Sequence, residues 1–257
     1  MCNRTALVTG ATRGIGLQVA LALAKMGFNL ILNGRKKEAD VANVLRLFDA
    51  SGVSVHYIPA DIGKIDDCRY LINTARRIVD KVDVLVNNAG VAPKQRKDIL
   101  EIETSDFDEV LDVNLRGPFF LTQMVAKWML EKKEHYPDWC PAIIFITSVS
   151  AEVVSLNRAE YCISKAALSM AAKLFAARLA GFDIKVFEVR PGIIDTDMIA
   201  PARSDYLMRI KNGIIPVKRL GRPEEVAQAV ASLIINMPSF ATGSVIYVDG
   251  GLHINRL

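Results

Sequence analysis

Tyr161-Cys162-Ile163-Ser164-Lys165 sets a phenol and an amine four residues apart. On a helix, side chains at that spacing lie on one face. A free tyrosine has a pKa near 10, so only about 0.1% is ionised at pH 7. A neighbouring ammonium favours the phenolate and lowers that value. Such a tyrosine can give a proton to a developing alkoxide, or take one from an alcohol, near neutral pH. Ser148 lies thirteen residues upstream, at the end of an apolar β-type run, and offers a hydroxyl to orient and stabilise the same oxygen. Alone, a Tyr and a Lys four apart read as ordinary surface neighbours. A second motif changes that weight.

Thr9-Gly10-Ala11-Thr12-Arg13-Gly14-Ile15-Gly16 stands between the first β-type run, Ala6-Leu7-Val8, and a segment of helical period. Glycines permit positive φ and let backbone approach a ligand closely. The helix that follows presents unpaired N–H groups suited to a pyrophosphate. The spacing is GxxxGxG, and the ligand-free alternative is a tight turn between strand and helix.

The elements that would carry these groups alternate along the chain. Strands are predicted at Ala6–Val8, Asn29–Leu32, Val53–Ile58, Val82–Val86, Ala142–Thr147, Ile184–Val189 and Val245–Val248. Helices are predicted at Ile15–Met26, Lys37–Ser51, Lys64–Val79, Ser105–Lys132, Ala159–Leu179 and Pro223–Asn236. Continuous apolar strands imply a sheet buried on both faces. Strict alternation implies an α/β fold: one Rossmann-type, doubly wound domain over residues 1–257, with a seven-stranded, mostly parallel sheet between helices. Two stretches fit poorly. Glu134–Pro141 is a polar and aromatic insert without an evident role. Pro191–Pro216 is too long for a simple connection, and long loops in compact domains often act as lids.

Composition narrows the classes. The 257 residues carry a net charge of +4, with Lys and Arg scattered among acids. The densest basic run, Lys94-Gln95-Arg96-Lys97, reads as a solvated loop, which argues against a nucleic-acid partner. Cys2, Cys68, Cys140 and Cys162 form no CxxC pair and stand beside no histidine at ligand spacing, so no metal site is expected and the thiols read as reduced. No charged-then-apolar leader is evident, and no apolar run reaches the roughly 18 residues of a membrane span. The expectation is a cytoplasmic protein without a membrane partner.

From Thr5 to about Gly251 the sequence resembles a short-chain dehydrogenase/reductase. Gly10–Gly16, including Thr12, Arg13, Gly14 and Ile15, is similar to that family's TGxxxGIG turn. Asp61-Ile62 resembles its acidic adenine contact, and Asn87-Asn88-Ala89-Gly90 its NNAG motif. Asn114, Ser148, Tyr161 and Lys165 match its catalytic tetrad, and Pro191-Gly192, Ile194 and Thr196 fall in the segment that closes over the nicotinamide. The resemblance implies that Tyr161 is the acid or base. It implies that Lys165 lowers the phenol's pKa and holds the nicotinamide ribose. Ser148 would bind the substrate oxygen, and Asn114 would anchor a water leading to Lys165. Asn114 hydrogen-bonding only to backbone is the bland alternative. Phe187 stands where the family often has Asn, which removes a structural hydrogen bond.

NAD-specific members usually carry an acid where Gly34 stands, bound to the ribose hydroxyls. Here Arg13 and Arg35 offer guanidinium groups for a 2′-phosphate, so NADP(H) is expected over NAD(H). The resemblance is nearest to reductases of 3-oxoacyl groups on acyl carrier protein, implying a small-molecule or acyl-thioester carbonyl substrate and a homotetramer. In that assembly Ser105–Lys132 and Ala159–Leu179 would be the paired faces. Asn157, Arg158 and Glu160 make the approach to Tyr161 polar, so a sugar or polyol dehydrogenase is the second reading. A dinucleotide sensor without catalysis is the third, and the intact Ser148, Tyr161 and Lys165 argue against it.

Overall fold

The computed structural model describes residues 4–255. Seven strands form one sheet: β1 (Thr5–Val8), β2 (Asn29–Gly34), β3 (Val55–Pro59), β4 (Val84–Asn87), β5 (Ala142–Ile146), β6 (Lys185–Pro191) and β7 (Val245–Val248). Their order is β3-β2-β1-β4-β5-β6-β7, and every pairing is parallel, where a mostly parallel sheet was expected. The order reverses direction between β1 and β4. In sheets of this kind that switch point opens a crevice at the carboxyl ends of the strands.

Successive strand residues serve opposite faces, as the pleat requires. Leu7, Ile31, Leu85, Ile143 and Phe145 pack on one side against Leu71, Leu121, Val125 and Leu168. Ala6, Val8, Leu30, Leu32, Val86 and Ile144 pack on the other against Val19, Leu23, Val226 and Val230. The first layer is built by α3 (Ile65–Ile78), α5 (Gly117–Lys133) and α6 (Ala159–Leu179). The second is built by α1 (Gly14–Lys25) and α8 (Pro223–Asn236), which lie against one another. Phe187 is buried in this second core, so the position takes part in packing rather than in a hydrogen bond.

Three helical expectations need correction. The predicted helix Lys37–Ser51 is broken into a 3₁₀ turn at Glu38–Val41, one α turn (α2, Ala42–Leu45) and a second 3₁₀ turn. Only Val41 and Phe48 of these elements are buried, too narrow an apolar stripe to hold a continuous helix. The predicted helix Ser105–Lys132 is interrupted: α4 (Thr104–Leu111) and α5 are joined by a π-helical turn at Asp112–Arg116. Gly117 begins α5 where an added Cβ would lie 2.1 Å from the Ile62 carbonyl, so the chain passes too close to a neighbour for any larger residue. The segment 191–216 is not a bare loop. It contains 3₁₀ structure at Asp197–Ala202 and α7 (Arg203–Lys211), anchored by buried Tyr206 and Ile210.

The insert 134–141 now has an account. It folds under the amino ends of β4 and β5. Trp139 Nε1 donates to Asp83 Oδ1 at 2.6 Å, Tyr136 donates to Asp80 at 2.9 Å, and Lys81 sits 4.7 Å from the Trp139 ring centroid. Its polar and aromatic composition serves this cap, at the opposite end of the sheet from the crevice. Among the described residues Cys68, Cys140 and Cys162 are free thiols, and Cys2 lies outside them. Burial pushes the Cys68 thiol up to about 11. Among the described residues no helix is long and apolar enough to cross a membrane.

Candidate active site

The carboxyl ends of the strands border a cleft of about 900 Å³ that receives residues from nearly every loop of that edge. One end is made mostly of backbone. Gly10 and Gly14 adopt φ of 63° and 53°, values that L side chains rarely adopt. Gly16 has a different reason: a Cβ there would lie 2.3 Å from both the Gly10 carbonyl and Asn88 Nδ2. Asn88 holds this turn in place, donating through Nδ2 to the carbonyls of Thr9 (2.9 Å) and Gly10 (3.2 Å). The Asn88 and Ala89 amides donate to Thr9 Oγ1, both at 3.0 Å. The turn glycine and the NNAG motif are therefore one construction. No side chain caps α1, so its first amides face the cleft unpaired. A helix N-terminus of that kind fits a pyrophosphate, and a dinucleotide suits this end.

Thr12, Arg13, Ile15, Gly34, Arg35, Asp61, Ile62, Gly90, Ile194 and Thr196 also line the cleft, with Pro191 and Gly192. Asp61 is turned partly inward on its own loop, its Oδ1 accepting from the Gly63 amide at 3.1 Å. Thr196 lies over Gly14, where a Cβ would meet its methyl at 3.3 Å. Arg13 faces Asp197 at 3.6 Å across the same gap, a largely exposed pair. Gly34 has little room for a side chain: its Cβ would stand 2.9 Å from the Tyr57 hydroxyl and 3.0 Å from Thr12 Cγ2. The sequence reading passed over Lys36 and Asp40, which share this wall.

Side chains dominate the other end. Ser148, Tyr161 and Lys165 come together there from the end of β5 and the first turns of α6. Lys165 Nζ lies 5.7 Å from the Tyr161 ring centroid and donates to the Ile146 carbonyl at 3.2 Å. Burial raises the Tyr161 phenol above its ordinary value, opposed by the Arg158 guanidinium and the Ser148 hydroxyl. Burial also pulls the Lys165 ammonium down to about 8, against the attraction of Glu188. The lysine therefore stays mostly charged at neutral pH and loses its ammonium as pH rises through about 8, and the Arg158 guanidinium is a further positive neighbour of the phenol. Sequence spacing did not give that assignment.

Asn114 sits in the π turn, fully buried. Its Nδ2 donates to the Val91 carbonyl at 2.9 Å, its Oδ1 accepts from the Val91 amide at 2.8 Å, and Nδ2 also reaches Ser164 Oγ at 3.2 Å. A Cβ on Gly90 would meet Asn114 Oδ1 at 3.1 Å and Lys165 Nζ at 3.5 Å. Asn114 therefore pins the NNAG loop to α6 beside the lysine. Insertions of a π turn recur at functional sites, where they aim one side chain out of helical register.

Behind α6 lies a group that the apolar reading of β6 missed. Glu188 and Arg190 are two apart, so both face α6. Arg190 Nε donates to Glu188 Oε1 at 2.6 Å, Ser169 donates to Glu188 Oε2 at 2.8 Å, and Thr147 donates to Oε1 at 2.6 Å. Arg190 also pairs with Glu152. Ser169 is one turn beyond Lys165, so this buried cluster adjoins the part of the helix that carries Lys165.

Comparison with known proteins agrees with this construction. A sequence profile described as enoyl-(acyl carrier protein) reductase matches residues 10–253. The chain belongs to the short-chain dehydrogenase/reductase family. A 3-oxoacyl-[acyl-carrier-protein] reductase of Staphylococcus epidermidis is 35% identical over 254 residues, covering 98% of this chain and 100% of that one. The Aquifex aeolicus protein of the same name is 34% identical over 250 residues, 97% of each. Among solved structures, a Brucella melitensis 3-oxoacyl-[acyl-carrier protein] reductase in complex with NAD has a TM-score of 0.93 at 41% identity over 100% of both chains. A putative gluconate dehydrogenase from Agrobacterium tumefaciens has a TM-score of 0.90 at 29% identity, covering 98% and 97%. This member is an oxidoreductase of the ketoreductase type, acting on C=O or CH–OH groups and binding a nucleotide cofactor.

The residues missed in the sequence are mostly at the substrate end. Arg96 belongs to the basic run read as a solvated loop. Its Nη2 instead donates to the Tyr206 hydroxyl at 2.8 Å, while Lys94 and Lys97 pair with Glu109 and Asp106. Tyr206 and Arg209 come from α7, inside the segment expected to be a loop. No local signal in a short run of mixed charges marks such residues as cleft walls.

Proposed function

We propose that this chain is an NADP(H)-dependent carbonyl reductase in which Tyr161 carries the proton. The convergence of Tyr161, Ser148 and Lys165 at the deep end of the cleft is the observation that carries this reading. When bound, the dinucleotide supplies or accepts the hydride. Ser148 holds the substrate oxygen beside the phenol, and Tyr161 donates a proton to that oxygen in reduction or accepts one in oxidation. Lys165 holds the nicotinamide ribose and keeps positive charge near the phenol. Asn114 fixes the loop and helix that meet at Lys165.

NADP(H) preference is supported by Gly34, which offers no acid to ribose hydroxyls, and by exposed Arg35 and Lys36 at the same rim. Arg13 is partly engaged by Asp197, but an exposed pair contributes little and yields readily to a phosphate. The segment 191–216 acts as the lid of one catalytic domain, with Thr196 and Asp197 as its contact to the glycine turn. A homotetramer paired through α5 and α6 is supported by the exposed apolar residues Ile163, Met170 and Leu174, which share a face of α6. We place the protein in the cytoplasm, acting on a carbonyl substrate for which 3-oxoacyl thioesters are the first candidate. The test is NADPH oxidation at 340 nm with 3-oxoacyl thioesters, diketones and keto sugars. Tyr161→Phe should lower kcat by about 100- to 10,000-fold on every accepted substrate. Activity within a few-fold of the parent would remove Tyr161 as the acid.

A further inference from the structure

We propose that the substrate carries a carboxylate within a few bonds of its reacting carbonyl, received by Arg158 with Arg96 and Arg209 beside it. This rests on the reading of Tyr161 as the proton donor, and it replaces the 3-oxoacyl thioester with a free oxo acid as the first substrate candidate. Three guanidinium groups, Arg96, Arg158 and Arg209, line the substrate end of the cleft. The acids that border the cleft are Asp40, Asp61 and Asp197: the first two lie at the nucleotide end, and Asp197 faces Arg13. Among the described residues none of the three arginines has a carboxylate within ion-pairing distance, whereas Arg13, at the nucleotide end of the same cleft, and Arg203, at the start of α7, each have one.

Arg158 is also held in one pose. Its Nε donates to Ser155 Oγ at 3.3 Å, and its guanidinium carbon lies 5.3 Å from the Tyr161 ring centroid. That leaves the two terminal nitrogens as an open fork, the geometry that matches a carboxylate with two parallel hydrogen bonds. Arg96 is fixed in the same manner by the hydroxyl of Tyr206 and lies over its ring at 5.2 Å. Tyr206 is buried and lines the same cleft as Tyr161, so the two arginines and the two tyrosines border one space. Arg209, one turn beyond Tyr206 on α7, borders it too. Val153, Met198, Ile199 and Leu252 line the same cleft and offer apolar surface to a short carbon skeleton. A substrate oxygen bonded to Tyr161 and Ser148 places only a few further atoms within reach of Arg158. With its guanidinium carbon 5.3 Å from the Tyr161 ring centroid, Arg158 suits a carboxylate close to the carbonyl rather than the distant phosphate of a long carrier arm.

The experiment compares substrates that differ in charge alone: short 2-oxo and 3-oxo acids, their methyl esters, and the same 3-oxoacyl group as a neutral short thioester and as a coenzyme A thioester. The parent should prefer acid over ester by about 10- to 100-fold in kcat/KM, the worth of a charged hydrogen-bonded pair. Arg158→Met should collapse that ratio to a few-fold, Arg158→Lys should keep part of it, and Arg77→Met, on α3 away from the cleft, should leave it unchanged. A parent ratio near one overturns the inference, as does a ratio that survives Arg158→Met; in the second case the guanidinium serves the phenol. Coenzyme A thioesters preferred over neutral thioesters, with acid and ester equal, also overturn it and point to a carrier's phosphate. If no carbonyl compound consumes NADPH, the catalytic reading fails instead. Calorimetry then decides the inference: malonate should bind the NADP⁺ complex at least tenfold tighter than malonamide, and lose that margin in Arg158→Met. Equal binding of the two overturns it.

Discussion

The two ends of the cleft are built in different ways. The nucleotide end consists of main chain: two left-handed glycines, a third glycine excluded from bearing any side chain, unpaired amides of α1, and Asn88 stitching β4 to the turn. The substrate end consists of side chains delivered by β5, α6, the 91–98 loop and α7. Backbone geometry admits few residue types, so the first end is written in a short motif. Side-chain walls admit many, so the second is written nowhere in particular. The same contrast explains how one fold keeps its cofactor site while its substrates vary.

Three experiments sharpen that contrast. The largest effect is expected at Gly16. Gly16→Ala puts a methyl into the Gly10 carbonyl and the Asn88 amide, neither able to retreat without opening the β1–β4 junction. Overpacking of this kind costs about 1–3 kcal/mol. Thermal denaturation should show the loss, and NADPH should protect the variant less than it protects the parent. A variant as stable as the parent, with unchanged cofactor affinity, would mean that the turn is looser than its contacts indicate.

Next in size is cofactor choice. The parent should favour NADPH over NADH by about tenfold or more in kcat/KM, since a hydrogen bond to a charged group is worth roughly 1.5–3 kcal/mol. Gly34→Asp with Arg35→Ala should reverse this, but the Tyr57 hydroxyl stands where the new side chain must go. Tyr57→Phe added to the pair should therefore complete a reversal that the double variant makes only in part. Kinetics with both cofactors in the three proteins checks this, and a parent that favours NADH would remove the arginine argument.

The smallest effect is a pH dependence. Lys165 is held at about 8, so its ammonium is present below that pH and is lost as pH rises through it. Cofactor affinity should weaken by a few-fold between pH 7 and 9 in the parent. In Lys165→Met affinity should be weaker throughout and flat over that interval. Equal pH dependence in both would assign the titration to another group.

The elements were readable because burial on both faces demands continuous apolar strands, and period placed α1, α3, α6 and α8 as uninterrupted helices. β7, α6 and α8 have the predicted bounds. The failures share a cause. Lys37–Ser51 has helical period but too little buried surface to enforce it. The π turn at Asp112–Arg116 leads into Gly117, which packs on Ile62, a contact between residues distant in sequence. Glu188 and Arg190 passed unnoticed because an ion pair inside a strand looks, in sequence, like a pair of surface charges. At the site, Tyr161, Ser148 and Lys165 could be named from order and spacing. Their electrostatics could not, since burial rather than the lysine dominates the phenol.

The sequence by itself determined the parallel α/β architecture, the glycine turn and the placing of Ser148, Tyr161 and Lys165 as candidates for the chemistry. These depend on period, on φ and on spacing along one helix, all local properties. Only the tertiary structure decided that Arg96, Arg158 and Arg209 line the same cleft as Tyr161 without an ion-pairing acid. They come from three separate segments, and whether a guanidinium has a partner depends on what folds against it.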